Sequence, residues 1–270
     1  MPEHREMLRS SLEILGDIAV IKLQTKLESS GTEIAHAIMK KNKGIKVVLQ
    51  QIGPVKDEFR LRPVRWIAGE KRTSTIHREH GCSFRVDLTK SYFSPRLQTE
   101  HLRIARLVAN GEIIVNMFAG VGGFSIIIAK KAQPARIFSI DSNEEAVELH
   151  KQNVRDNHID NIEVIHADAA KGMSKLLQEK IDRVLMPLPE KALEYLGVAL
   201  SFLKKQGGSI NLYDFVSANQ SSEAIEKTRD KLTTRLYDCG RSFSMERVRI
   251  VRSVGPSRFQ TVADISFGKS

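Results

Sequence analysis

The chain has 270 residues and a net charge of +10, and its hydrophobic content of 41% is sufficient for a buried core. No apolar run approaches the roughly 20 residues that cross a bilayer, and the polar N-terminus does not resemble a signal peptide. The two cysteines, Cys82 and Cys239, lie outside any metal-ligand spacing, so we expect a cytoplasmic protein with no membrane association and no bound metal.

The positive charge is concentrated near the N-terminus. Residues 1–90 contain 17 Lys and Arg against 11 Asp and Glu, so one third of the chain carries most of the net charge. A basic surface of this kind suits a polyanionic partner such as a nucleic acid. It is equally compatible with a surface that only maintains solubility, and the charge alone does not decide between the two.

The N-terminal part of the chain predicts a small mixed α/β unit. Residues 57–69 alternate charged and apolar side chains with a period of two, which is typical of an antiparallel strand. The other predicted elements are strands over 17–23 and 46–52 and a helix over 31–42. A further strand after residue 81 leads through a Ser-Pro turn into an amphipathic helix. We assign residues 1–83 to a small basic domain, which would position RNA if the partner is a nucleic acid.

From residue 111 onward, apolar strands alternate with helices. Buried strands separated by helices predict a mostly parallel sheet covered on both faces. The five strands of this series lie within residues 112–120, 136–141, 162–168, 181–189 and 207–215. The helices that follow them are predicted over residues 124–132, 143–157, 169–180, 190–205 and 221–232. Two more strands, 245–254 and 259–267, have no helix between them and predict an antiparallel edge. The fold class is therefore α/β, with a seven-stranded sheet in a domain that covers residues 84–270.

The first turn of this sheet contains three glycines, Gly120, Gly122 and Gly123, between a strand and a helix. Glycine permits a positive φ and a close approach of the backbone to a ligand. The spacing is not G-x-G-x-x-G, which disfavours a dinucleotide. Asp141 and Asp168 end the next two strands, from which carboxylates can bind a ribose and an adenine amine. The pattern therefore predicts a phosphate-free nucleoside, and S-adenosylmethionine fits it better than NAD.

Each of these features also has a purely structural interpretation. A glycine loop after a strand is often only a tight turn. An Asp at the end of a strand is more often a helix cap than a ligand, and the Ser-Asn pair after Asp141 is suited to cap the next helix. The prediction of a cofactor site depends on all three features occurring in order.

Three segments together resemble the archaeal and eukaryotic tRNA (guanine-37-N1) methyltransferases. They are KSYFSPRLQTEHLRIA (90–105), NMFAGVGGFSIIIA (116–129) and DRVLMPLPEKA (182–192). The likeness runs from about residue 17 to the C-terminus. It implies a class I, Rossmann-like methyltransferase fold behind a small basic domain, with S-adenosyl-L-methionine as cofactor. It further implies a monomer that acts on the tRNA anticodon stem-loop at position 37.

The resemblance also implies roles for individual residues. Glu100 matches the family's general base, which would take the proton from guanine N1. Arg60 matches an arginine that holds guanine O6, where negative charge grows as that proton leaves. Without the motif, Glu100 would be interpreted as an acid that complements a helix dipole, and Arg60 as a phosphate contact.

Further positions follow from the same motifs. Tyr92 matches a residue near the methyl donor, and Pro189 belongs to the motif after the fourth strand. Arg62 and Arg96 are expected to contact the RNA substrate. Phe118 and Leu188 complete the predicted cofactor-binding set of Gly120, Gly122, Gly123, Asp141 and Asp168.

This sequence departs from the family pattern after the fourth strand. The family usually has Asn-Leu-Pro there, with the Asn amide on the target base, whereas this chain has Pro187-Leu188-Pro189. Because proline also lacks a backbone N–H, the position cannot replace the lost donor. The acid that often precedes Met-Phe-Ala-Gly is Asn116 here.

Three alternatives remain open at this stage. The nearest is the related wybutosine-pathway transferase, which moves the aminocarboxypropyl group of the same cofactor, although Tyr92 and the Pro95-Arg96-Leu97 run favour the methyltransferase. A non-catalytic RNA-binding protein on the same fold is suggested by the missing Asn and disfavoured by the intact glycine turn. An NAD-dependent oxidoreductase is disfavoured by the glycine spacing.

Overall fold

A computed structural model describes residues 12–24, 27–55, 58–171, 176–237 and 239–269. The N-terminal part forms a four-stranded sheet with strands in chain order. Its elements are β1 Leu12–Leu15, β2 Ile18–Ile21, helix α1 Gly31–Lys41, β3 Val47–Gln51 and β4 Val64–Gly69. α1 connects β2 to β3 and returns the chain to the same end of the sheet, so these two strands run parallel. The pairs β1–β2 and β3–β4 are antiparallel. α1 packs its apolar side against this sheet around Ala35.

The predicted strand over residues 57–69 is wrong in its first half. Strand β4 begins only at Val64, and residues 58–60 form a turn. Arg60 has a φ of 56°, a left-handed conformation that an extended strand does not contain. Arg60 and Arg62 are therefore not neighbours on one strand face. Residue 57 lies outside the described residues.

A seven-stranded sheet follows, as predicted. Its strands are β7 Ile113–Asn116, β8 Arg136–Asp141, β9 Ile162–His166, β10 Arg183–Met186, β11 Gly208–Ser217, β12 Phe243–Gly255 and β13 Arg258–Phe267. Their order in the sheet is β12-β13-β11-β10-β7-β8-β9, with five parallel strands and an antiparallel pair at one edge. The helices are α2 Gln98–Leu107, α3 Gly123–Lys131, α4 Glu144–Asp156, α5 Leu196–Phe202 and α6 Ser221–Leu236.

Both faces of this sheet are buried. Successive side chains of a strand point to opposite faces, and adjacent residues of β7 belong to different hydrophobic clusters. Ile114 packs with residues of α2, α3 and α4, whereas Val115 packs with residues of α5 and α6. This arrangement explains why the strands are apolar throughout. The predicted helix over 190–205 is shorter than expected, since residues 190–195 form turns and α5 begins at Leu196.

A β-hairpin connects the two sheets. It consists of β5 Ser74–Glu79 and β6 Cys82–Asp87, and the predicted boundary after residue 83 falls inside its second strand. The hairpin is bound to α4, because Asn153 and Asn157 exchange hydrogen bonds with the backbone of residues 83 and 85. Within the described residues, no helix has both the length and the apolar character needed to span a membrane. The helix predicted over 169–180 includes residues 172–175, which lie outside the described part of the chain.

Candidate active site

The glycine turn between β7 and α3 adopts left-handed conformations at Gly120 and Gly122, with φ values of 52° and 98°. A Cβ on Gly122 would lie 2.5 Å from Nε2 of His150, and one on Gly123 would lie 2.9 Å from the His101 ring. These two glycines are therefore needed for packing against buried histidines. At Gly120 the nearest atom to an added Cβ is the Tyr92 carbonyl oxygen at 3.6 Å, an ordinary contact distance, so its positive φ rather than a clash favours glycine there.

Asp141 lies at the C-terminal end of β8 and holds the glycine turn. Its Oδ2 accepts a hydrogen bond from the Gly120 backbone N–H over 2.6 Å, and its Oδ1 accepts one from the Asn143 N–H over 2.9 Å. Burial raises the pKa of Asp141, although these N–H groups oppose the rise. The carboxylate thus lies at the ends of adjacent parallel strands, where α/β sheets bind ligands.

Two polar residues near Asp141, Asn143 and Asp168, have different hydrogen-bond partners. Asn143 is the N-cap of α4, and its Oδ1 accepts hydrogen bonds from the N–H groups of residues 145 and 146. Asp168 accepts a hydrogen bond from the Ala170 N–H over 2.9 Å and another from the Tyr195 hydroxyl over 3.3 Å. The residue that caps the helix is therefore Asn143 and not Asp141. Asp168 both closes a turn through Ala170 and holds the Tyr195 hydroxyl.

A cleft lies over this turn, and we call it the glycine cleft. It contains about 640 Å³ of space free of protein atoms, part of it open to solvent. The residues that line it include Arg60, Tyr92, Phe118, Gly120, Asp141, Asn143, Leu188 and Tyr195. Phe118 and Tyr195 meet edge to face at 5.1 Å and give it an aromatic wall. Of the predicted cofactor residues, Phe118, Gly120, Asp141 and Leu188 line the cleft, whereas Gly122, Gly123 and Asp168 are not among its lining residues.

A second, larger cleft adjoins the first and lies between the small sheet and the β12–β13 hairpin. We call it the basic cleft. Its cationic residues are Lys22, Arg60, Arg62, Arg96, Lys191, Arg252 and Arg258, and its acids are Glu13, Glu58 and Glu190. Arg60, Tyr92, Leu188, Glu58 and Lys191 line both clefts. The two clefts therefore meet at the positions predicted to hold the target base and the methyl donor.

Tyr92 and Arg60 form the boundary between the two clefts. The Arg60 guanidinium lies 4.1 Å from the centroid of the Tyr92 ring, a cation–π contact. Nε of Arg60 is buried without a hydrogen-bond partner among the described residues, and the nearby Glu190 carboxylate is 3.5 Å away. A buried guanidinium N–H without an acceptor is costly, and a ligand oxygen would satisfy it. Arg60 and Tyr92, which were predicted separately from the sequence, are thus in contact, and their roles stay predictions.

Glu100 occupies a different environment. Its side chain is 3% exposed and accepts hydrogen bonds from the Tyr213 hydroxyl at 2.8 Å and from Arg103 through both carboxylate oxygens. Arg249 is the third partner, and it donates to the carboxylate over 2.5 Å. Glu100 is not among the described residues that line either cleft. Its assignment as general base stays a prediction, since the carboxylate would first have to leave these partners.

The remaining predicted residues lie around the basic cleft. Arg62 and Arg96 both approach the half-buried carboxylate of Glu13, at 2.6 and 3.3 Å. Arg96 keeps 56% of its side chain exposed, so it remains available to a partner. Pro189 is buried beside the clefts, whereas Pro187 and Leu188 reach the glycine cleft.

Several lining residues have no signal in the sequence. Arg252, Arg258 and Phe215 enter the basic cleft from β11 and the β12–β13 hairpin, and the Arg258 guanidinium lies 4.6 Å from the Phe215 ring centroid. Only the antiparallel pairing of these strands brings them to the cleft. Tyr195 lies in a segment that was predicted to be helical, and nothing in that segment indicated that it lines a cleft. Asn143 was noted only as a cap. Across the described residues, no group of three or more His, Cys, Asp or Glu is arranged to hold a metal ion.

Comparison with known proteins identifies the same architecture. The family described as the TRM5/TYW2 methyltransferase domain matches residues 75–239, and the TYW2 N-terminal domain matches residues 1–73. The tRNA (guanine(37)-N(1))-methyltransferase Trm5b of Pyrococcus abyssi is 34% identical over 266 residues, covering 97% of this chain and 76% of that protein.

Two further similarities are relevant to the substrate. The tRNA 4-demethylwyosine(37)-methyltransferase Taw21 of Saccharolobus solfataricus is 38% identical over 255 residues, covering 94% of this chain and 92% of that protein. A solved complex of aTrm5 with tRNALeu superposes with a TM-score of 0.83 at 32% identity, covering 98% of this chain and 74% of that one. The predicted class I methyltransferase fold is confirmed, and the chain belongs to the TRM5/TYW2 methyltransferase family.

Proposed function

We propose that this protein transfers a methyl group from S-adenosyl-L-methionine to N1 of guanosine 37 in tRNA. The observation that carries this proposal is the junction of two clefts at Arg60 and Tyr92. One cleft has the glycine turn and a buried carboxylate, and the other is lined by seven cationic side chains. Relatives named as guanine-37-N1 methyltransferases support the choice of reaction.

The residues of the glycine cleft fit S-adenosyl-L-methionine. Asp141 offers carboxylate oxygens for ribose hydroxyls, and Phe118, Leu188 and Tyr195 offer apolar surface for the adenine. Gly120 leaves room for close approach of the ligand. When bound, this cofactor supplies an electrophilic methyl group on a sulfonium.

The basic cleft supports tRNA as the substrate. Its cations provide phosphate contacts, which dominate affinity in nucleic-acid binding. Arg60 provides a guanidinium N–H for the O6 of guanine, on which negative charge grows as the N1 proton leaves. We include in the proposal that residues 1–83 act as the RNA-positioning domain, and that the protein works in the cytoplasm as a monomer bound to the anticodon stem-loop.

The direct test is incubation with labelled cofactor and tRNA transcripts that carry either guanosine or adenosine at position 37. Nuclease digestion and mass spectrometry should find 1-methylguanosine only in the guanosine transcript. A D141N variant should lose labelling because cofactor binding fails, whereas D160N, which makes the same charge change at an exposed position, should retain it. Equal labelling of both transcripts, or none at millimolar cofactor, would refute the proposal.

A second candidate is methylation of 4-demethylwyosine at position 37. It is favoured by the similarity to Taw21, which spans nearly the full length of both chains, whereas Trm5b is matched over 76% of its length. The target base of that reaction is not guanine, so it would not require the Asn amide that holds guanine in the family. The triplet Pro187-Leu188-Pro189, which lacks this Asn, agrees with such a target. A tRNA that already carries 4-demethylwyosine, offered in the same assay, distinguishes this activity from the first.

The aminocarboxypropyl transfer remains the other alternative within the family. The two reactions differ in which carbon on the sulfonium is attacked. The products separate them, since methyl transfer adds one methyl group to the tRNA, whereas aminocarboxypropyl transfer releases methylthioadenosine. Binding of cofactor without any change to the tRNA would instead indicate a non-catalytic RNA-binding protein.

A further inference from the structure

One end of the basic cleft has an exposed arginine that lies on an aromatic ring. The Arg258 guanidinium is 4.6 Å from the centroid of the Phe215 ring, and both residues line the cleft. We propose that this pair is a stacking platform for an unpaired nucleobase directly adjacent to the target nucleotide. The inference rests on the proposed function, because it takes RNA as the partner, and it adds a base-binding position to the phosphate contacts of the cleft.

The pairing of β11 with β13 explains how the two side chains meet. Arg258 lies opposite Ser217 in this antiparallel pair. Phe215 is two residues before Ser217, so both point to the same face of the sheet, and Phe215 is the diagonal neighbour of Arg258. Val216 points to the other face, where it packs with Ala224 of α6. Phe215 and Arg258 therefore project away from α6 and into the basic cleft.

The platform is one end of an alternating row of aromatic rings and guanidinium groups. The Arg60 guanidinium lies 4.1 Å from the Tyr92 ring centroid and 5.9 Å from that of Phe215, and Arg258 lies on Phe215 in turn. Each distance is within the range of a cation–π contact. Tyr92 lines the glycine cleft as well, whereas Arg258 is exposed in the basic cleft alone. The row thus leads from the junction of the clefts toward solvent.

Arg258 differs from the other arginines of the cleft in its partners. The other four each contact a glutamate or donate to neutral side chains, and they are Arg60, Arg62, Arg96 and Arg252. Among the described residues, the Arg258 side chain has no ion pair and no hydrogen bond, and it lies on the Phe215 ring. A ligand can therefore reach the side of this guanidinium that faces away from the ring without displacing an acid.

The chemistry of the pair suits a nucleobase. A guanidinium is planar and delocalised, and unpaired RNA bases stack on such planes as they do on aromatic rings. A base on Arg258 would extend the alternation of flat groups by one member. Val254, which is 37% exposed, lines the same cleft from the same hairpin and adds apolar surface. Apolar surface favours the faces of a base, whereas a phosphate gains nothing from it.

The first experiment measures the affinity for anticodon stem-loop RNA by filter binding without cofactor. R258A should weaken binding about tenfold or more, the loss expected when one base loses its stacking partner. R258K keeps the charge but not the plane, so it should lose nearly as much. R247A removes a charge from an exposed residue of the same hairpin that lines neither described cleft, and it should bind like the wild type.

The second experiment identifies the base. It uses stem-loop RNAs in which the nucleotide on the 5′ or on the 3′ side of position 37 has no base. The wild type should bind one of these RNAs about tenfold more weakly than intact RNA. R258A should bind that RNA no more weakly than the wild type does, because nothing is left to stack. F215L, checked for folding by urea unfolding, should show the same pattern, and R258A/F215L should lose no more than R258A alone.

The outcomes that contradict the inference are distinct from those that contradict the proposed reaction. If R258K binds like the wild type, and R258A costs the same with every RNA, Arg258 contacts a phosphate and the platform is wrong. Full affinity in R258A or F215L would also overturn it, even where guanosine 37 is methylated. If Arg258 is coupled to one base but the wild type makes no 1-methylguanosine, the proposed reaction fails and the platform stands.

Discussion

Oδ2 of Asp141 accepts a hydrogen bond from the backbone N–H of Gly120 over 2.6 Å. This contact joins the end of β8 to the turn after β7, two elements that are 21 residues apart. One carboxylate therefore both shapes the glycine turn and borders the cleft above it. A ligand site built this way depends on Asp141 twice, through its own oxygens and through the backbone it holds.

We expect D141N to weaken cofactor binding by at least about tenfold and to lower the free energy of unfolding by about 1–3 kcal/mol. An amide retains one acceptor, so one of the two N–H groups of Gly120 and Asn143 loses its partner. Equilibrium dialysis and urea unfolding measure the two effects. D160N is the matched control, and an equal effect of both variants would contradict a specific role for Asp141.

A second prediction compares Gly122 of the glycine turn with Gly111. The comparison separates the stability cost of backbone strain from that of a steric clash. G122A should destabilise the protein more than G111A. Both residues have positive φ, but an added Cβ at Gly111 meets no atom within 4 Å, whereas at Gly122 it lies 2.5 Å from Nε2 of His150. Left-handed backbone costs an Ala about 1–2 kcal/mol, and overpacking adds about 1–3 kcal/mol.

Thermal and urea unfolding of the two variants measure this difference. The double variant G122A/H150A should recover part of the loss, since removal of the imidazole makes room for the methyl group. If G111A and G122A are equally destabilised, backbone strain alone explains both, and the packing of His150 under the turn is irrelevant.

Glu79 provides a prediction for the pH dependence of stability. Burial opposes its ionisation, but the hydrogen bond from His101 at 2.6 Å and the His77 ring 3.5 Å away outweigh burial and lower the pKa of Glu79 from 4.5 to about 2. A carboxyl with a lower pKa in the folded state contributes stability above its unfolded pKa, and this is lost as the pH falls through the folded value. We expect the loss between about pH 4.5 and pH 2.

The measurement is urea unfolding as a function of pH for the wild type and E79Q. The wild type should lose up to about 3 kcal/mol from this group across that range, at 1.36 kcal/mol per pKa unit. E79Q should be less stable at neutral pH and show a flatter acid limb, while E28Q, at an exposed position, should follow the wild type. Parallel curves for the wild type and E79Q would contradict the ionised, buried state of Glu79.

Arg96 and Arg136 form a matched pair for RNA binding. Both are more than half exposed and paired with an acid, but Arg96 lines the basic cleft and Arg136 begins β8. R96A should weaken tRNA affinity several-fold and reduce the slope of log K against log salt by about one, as expected when one phosphate contact is lost. R136A should change neither quantity. Equal slopes in filter binding for R96A and the wild type would argue against RNA in this cleft.

The network around Glu100 predicts a structural effect of E100Q. Breaking a buried charged cluster by removing one partner costs about 3–5 kcal/mol, because the remaining charges lose compensation. We therefore expect urea unfolding to show a loss of this order in E100Q. Y213F should lose less, since it removes only one neutral donor to the carboxylate. Unchanged stability in E100Q would mean that the carboxylate is not held by Arg103 and Arg249 in solution.

The order of elements could be predicted from the sequence because local patterns determine it. Apolar strands that alternate with helices require a parallel sheet covered on both faces, and the sequence of residues 111–217 has that pattern. The predictions at Gly120 and Asp141 depended on the ends of neighbouring parallel strands lying at one edge, and both residues do line one cleft. Leu188, which lines the same cleft, was predicted from the family resemblance.

Long-range contacts had to come from the tertiary structure. Arg252 reaches Tyr92 across 160 positions only because β12 pairs with β13 at the edge of the sheet. The same pairing brings Arg249 to Glu100, so a residue that a motif marks as a base is enclosed by charges that no local pattern reveals. Arg60 was predicted on a strand but lies in a left-handed turn, from which its guanidinium contacts Tyr92 and Glu190. Periodicity determines which elements form, whereas charge pairing between distant strands decides which side chains face the clefts.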